Sequence, residues 1–82
     1  MPLFMDVHNL LRAANPEAVA AAKQRDLEVQ DKYGVKYLRY WLDSSTGHMF
    51  CLVEAPTREA ALQVHREAHG AIANEIYEVI EG

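Results

Sequence analysis

The chain has 82 residues and a formal charge of −4, with twelve Asp and Glu against eight Lys and Arg. That length allows one domain, residues 1–82, whose core is marginal for a monomer, and the acidic balance without a basic run disfavours nucleic acid or an anionic membrane as partner. No stretch approaches the roughly 18 apolar residues of a membrane span, Met1-Pro2-Leu3-Phe4 lacks the start of a secretory signal, and the single Cys51 cannot form an internal disulfide; together these predict a cytoplasmic protein.

The first segment, Leu3 to His8, alternates Leu3, Met5 and Val7 against Phe4, Asp6 and His8, the period of a strand with one face buried. Asn15-Pro16-Glu17 then reads as a helix start: a capping side chain, a proline at the first helical position and an early acid. An Ala-rich helix follows to about Tyr33, where Gly34 ends it. Val35 to Leu42 is dense in β-branched and aromatic residues and predicts a second strand, with Leu38 and Leu42 opposite Val35, Tyr37 and Trp41. Asp43-Ser44-Ser45-Thr46-Gly47 is a turn, and His48 to Glu54 a third strand with Met49, Cys51 and Val53 on one side and Phe50 and Leu52 on the other. Thr57 can cap a second helix from Arg58 to about His69, with Gly70 as terminator, and Ile76 to Ile80 supplies the last strand.

The order strand, helix, strand, strand, helix, strand predicts an α+β, ferredoxin-like fold, one antiparallel sheet carrying both helices on one face. The other face stays uncovered, and both faces of the strands are rich in apolar side chains. A second copy of the chain is therefore expected to cover the open face, giving a homodimer.

The chemistry-bearing residues are the histidines. His65-Arg66-Glu67-Ala68-His69-Gly70 places two imidazoles one helical turn apart, near enough to close on one divalent transition metal. The metalloprotease helix has a glutamate directly after its first histidine; here Arg66 holds that position and Glu67 points away, so no general base is present. A histidine at the end of a helix can equally be a cap favoured by the helix dipole.

His8 ends the first strand and His48 opens the third, so all four histidines lie toward one end of the predicted fold. If Leu3, Met5 and Val7 face the helices, His8 faces away from the helical pair, and the strand end must twist or a partner subunit must supply the missing ligand. His48 follows a turn glycine and is the weakest of the four. Asp6, Glu54 or Glu67 could complete a coordination shell, whereas Cys51, among apolar neighbours, reads by default as an inert buried thiol. The aromatic run Tyr37 to Trp41 suits core or dimer interface better than a stacking platform.

Taken in order, Met5-Asp6-Val7-His8, Tyr37-Leu38-Arg39-Tyr40-Trp41, Phe50-Cys51-Leu52-Val53-Glu54-Ala55-Pro56 and His65-Arg66-Glu67-Ala68-His69-Gly70 with Glu75-Ile76 carry a resemblance. The chain resembles the small nickel-binding proteins of a family catalogued as a domain of unknown function. The resemblance implies a ferredoxin-like homodimer that binds nickel ion through surface histidines and sequesters or detoxifies it, without catalysis, with His8, His65 and His69 as ligands; His48 falls outside the matching segments. The competing readings are an enzyme of the dimeric α+β barrel type, using a histidine as acid or base on a small organic molecule, and a pure interaction module.

Overall fold

The computed structural model describes residues 1–9, 15–70 and 73–82. Four strands and two helices follow the expected order: β1 (Leu3–Asn9), α1 (Pro16–Val29), β2 (Lys36–Asp43), β3 (His48–Glu54), α2 (Arg58–Ala68) and β4 (Glu75–Val79). All pairings are antiparallel in the sheet order β2-β3-β1-β4, which is the ferredoxin-like α+β fold. Among the described residues no helix is long and apolar enough to cross a membrane.

Local chemistry fixes the boundaries. The Asn15 side chain accepts hydrogen bonds from the backbone N–H of Glu17 at 2.8 Å and Ala18 at 3.3 Å, and Pro16 opens α1. The last turn tightens into a 3-10 segment, Gln30–Tyr33, and Gly34 takes φ 66°, which lets the chain reverse into β2. Thr57 caps α2 through the N–H of Ala60 at 3.1 Å. At the far end the backbone N–H groups of both His69 and Gly70 reach back to the carbonyl of His65, and Gly70 is left-handed at φ 78°.

Two expectations about side-chain direction are corrected. In β1 the buried face is Phe4, Asp6 and His8, while Leu3, Met5 and Val7 are half-buried on the open face. The polar residues win the interior because partners await them there. In β2 the register jumps between Tyr37 and Arg39, so Leu38 is a bulge residue and the alternation reverses beyond it. Tyr37 lies opposite Val53, Tyr40 opposite Cys51 and Leu42 opposite Met49, all on the helix side, whereas Trp41 lies opposite Phe50 on the open side.

Among the described residues the core is Phe4, Val19, Val35, Tyr37, Met49, Cys51, Val53, Ala55, Ala61 and Val64. Buried with it, again among the described residues, are the polar or charged Asp6, His8, Lys23, Asp26 and His65. Such groups are tolerated inside a protein only when paired and hydrogen-bonded, so they must satisfy one another.

Candidate metal centre

Four elements supply these groups. Asp6 and His8 come from the inner face of β1, Cys51 from the neighbouring β3, and His65 from the face of α2 that also buries Ala61 and Val64. Lys23 and Asp26 follow Val19 at helical spacing along α1. Tyr37 of β2 closes the set.

His65 is the hub. Its Nδ1 lies 2.9 Å from Asp26 Oδ1, and its Nε2 lies 2.9 Å from Tyr37 Oη, 3.1 Å from Asp6 Oδ2 and 3.3 Å from His8 Nε2. His8 Nε2 is in turn 3.1 Å from Asp6 Oδ1. The second helical histidine, His69, meets His65 through a shared partner: its Nε2 lies 3.1 Å from the same Asp26 Oδ1. Asp26 Oδ2 has the Lys23 ammonium at 3.1 Å and no well-directed hydrogen bond. Lys23 also sits 3.7 Å from the centre of the Tyr37 ring and 3.6 Å from Cys51 Sγ.

The charge states follow. Burial pushes His65 toward neutrality, but bonds to Asp26 and Asp6 outweigh it and raise its pKa to about 11. Conversely, burial would raise both carboxyls, and the imidazoles of His65 and His8 at Asp6, and of His65 and His69 at Asp26, hold them well below the usual carboxylate range. Burial, with Asp6 and Asp26 nearby, keeps the Tyr37 phenol protonated. Burial likewise raises the Cys51 thiol, against the opposing pull of His65.

The contacts among Asp6, His8 and His65 carry a conflict. If both imidazole Nε2 atoms bear protons, each donates to Asp6 but the two N–H groups face each other. If either Nε2 is bare, its lone pair faces an Asp6 oxygen. With Asp6 ionised, the imidazole protons cannot pair all three contacts, and a cation among them would be met by every donor. The two 3.1 Å contacts run to different oxygens of Asp6, so with the 3.3 Å between the imidazole nitrogens four donor atoms converge on one point. The donor atoms of Asp6, His8, Cys51 and His65 all lie within 4.8 Å of one another, as do those of Asp26, His65 and His69. Nitrogen, carboxylate and sulfur donors together suit a late divalent transition metal.

His8 and His65 are 2% and 0% exposed, so the histidines expected at the surface are interior. His48 shares their end of the sheet, since Asn9 pairs with it, but it projects from the opposite face beside Phe50 and contacts Thr46 Oγ1 at 2.9 Å. Glu67 turns outward as expected, to Lys32 and Tyr33. The sequence does not single out Asp26 or Lys23, and it marks Tyr37 only as part of the aromatic run assigned to core or interface. The only trace of the first two is their spacing from Val19 on a helix with few large apolar residues.

The family described as "Nickel responsive protein SCO4226-like" matches residues 4–79. The crystal structure of SCO4226 from Streptomyces coelicolor A3(2) superposes with a TM-score of 0.89 at 36% identity, covering 98% of each chain. No curated protein matches the chain.

Proposed function

The chain belongs to the SCO4226-like family of nickel-responsive proteins, and from that premise we propose that it is a non-catalytic nickel-binding protein whose ion is cargo held for sequestration. The observation that carries this reading is the convergence of Asp6, His8 and His65, whose contacts a divalent cation resolves and, with Asp6 ionised, imidazole protons do not. His8 and His65 are the nitrogen ligands and Asp6 the oxygen ligand. Asp26 holds His65 from behind through Nδ1, fixing the ring so that Nε2 faces the ion. His69 acts through Asp26, and His48, on the opposite face, has no part in the set.

A second copy of the chain is the natural cover for the open sheet face. Trp41 is 47% and Tyr77 49% exposed there, beside a concavity of about 640 Å³ bordered by Leu3, Met5, Trp41, Leu52 and Val79. Apolar area of this kind gains free energy on leaving water, and a twofold dimer would hide it on both copies at once. The working form is therefore a cytoplasmic homodimer of single-domain chains.

Isothermal titration of the purified, tag-free protein with nickel tests the reading. Binding by the native protein that disappears in His65→Ala and His8→Ala, with circular dichroism unchanged, is expected. Equal binding by native protein and both variants would overturn the assignment.

A further inference from the structure

Arg39 stands on the open sheet face without an acid beside it. The register carries its row from β2 through Leu52 of β3 and Met5 of β1 to Tyr77 of β4, all uncharged. The acid on that side of β3, Glu54, lies opposite Lys36 instead. Among the described residues no ion pair includes Arg39. In water such a guanidinium needs no partner; once a second copy covers the face it is desolvated among apolar side chains and needs one.

The two edges of the sheet differ in charge. β2 presents Lys36 and Arg39 on the open face, and its one acid, Asp43, is occupied by Ser45 and Thr46 of the following turn. β4, at the other edge, presents Glu75 on that face, with Glu81 just beyond the strand. Neither edge is blunted in the usual way. Tyr40 and Trp41 on β2, Tyr77 on β4 and Ile80 after it, 95% exposed, leave large aromatic or apolar side chains beside edge backbone groups free to pair.

Two copies set open face to open face can be related in two ways. With the twofold axis along the strands, each β2 lies beside the partner's β4; with the axis across the strands, β2 lies beside the partner's β2, and β4 beside β4. Strand direction does not choose between them, because β2 runs opposite to β4 and both arrangements make antiparallel seams. Charge does choose. The second gathers Lys36 and Arg39 of both copies at one seam and Glu75 and Glu81 of both at the other, whereas the first sets cations against acids at both seams. Rotation about an axis along the strands also keeps each row at its height. Arg39 then arrives at the partner's Tyr77, one row from the partner's Glu75, which shares a row with Trp41, Phe50 and Val7.

We propose that the second copy supplies the missing acid: Arg39 of each protomer pairs with the partner's Glu75 and lies over the ring of the partner's Tyr77, at a seam between β2 and the partner's β4. The inference rests on the homodimer reading above and selects one of its two twofold arrangements. Self-recognition through this face is then set by charge at the seams and driven by the apolar area between them.

Sedimentation velocity of the native protein, Arg39→Glu, Glu75→Lys and the double variant tests it, with circular dichroism as the check on folding. Each single reversal should raise the dimer Kd by at least about 100-fold, since the twofold repeats the clash at both seams. The double variant exchanges the two charges and should return to within about 10-fold of the native Kd. Single variants that dimerise as the native protein does, or a double variant no better than the singles, would overturn the pair and leave the homodimer intact. A monomeric native protein would overturn both, so the native protein alone tells the two failures apart.

Discussion

The Nε2 atoms of His8 and His65 face each other at 3.3 Å although 57 residues separate them in the chain. Neither strand nor helix alone could arrange this. The contact exists because β1 turns its polar side inward and α2 lays its His65 face on the sheet, and the Asp6 carboxylate beneath them draws both rings to one point.

The four histidines should not be equivalent. His8→Ala and His65→Ala each remove a donor and should abolish nickel binding measured by calorimetry. His69→Ala removes a partner of Asp26 and a ring beside His65, and should weaken it by roughly 10–100-fold. His48→Ala, on the far face, should leave it unchanged; a loss there equal to that of His65→Ala would contradict the site.

Asp26→Ala should be among the most destabilising single changes. It strips the buried Lys23 ammonium and the His65 Nδ1–H of their common partner, and breaking a buried pair from one side costs about 3–5 kcal/mol. Urea unfolding of the metal-free variant reads this directly. A shift below about 1 kcal/mol would mean that water or another group replaces the carboxylate.

The metal-free protein should be most stable in mildly acidic solution. Asp6 and Asp26 have lowered pKa values, so their contribution is present above the ordinary value of 3.8 and is lost as the pH falls below it. His65 is raised from 6.5 to about 11, so its contribution is complete below 6.5 and is lost as the pH rises through about 11. The same ion pairs produce both edges. Urea midpoints should therefore be flat from about pH 4 to about pH 6.5 and decline on either side. Midpoints that climb from neutral to alkaline pH would contradict a charged His65.

Trp41→Glu should convert a dimer into a monomer in sedimentation experiments. Trp41 stands half-exposed on the open face of the edge strand β2, opposite Phe50, and a charge there would be buried without a partner in a twofold pairing that covers it. A native protein that sediments as a monomer would remove this assembly from consideration.

What the sequence determined by itself was everything set by local spacing. The capping residues Asn15 and Thr57, the punctuation at Gly34, Asp43–Gly47 and Gly70, and the alternation in β1 and β3 put each element within a few residues of its place and gave the element order of the fold. The His65 and His69 pair was visible for the same reason, since helical spacing is a local property. Tertiary structure decided which way each element faced. Period-two alternation marks two faces without saying which is buried, and hydrophobicity pointed to Leu3, Met5 and Val7; the inward face is instead that of Asp6 and His8, because Tyr37 and His65 wait there to bond Asp6 and His65 meets His8. The bulge at Leu38 reversed the rest of β2, a consequence of pairing with β3 that no run of residues announces. The donor set itself joins β1, β3 and α2, so it came into being only when long-range packing brought together side chains whose charges could not be buried apart.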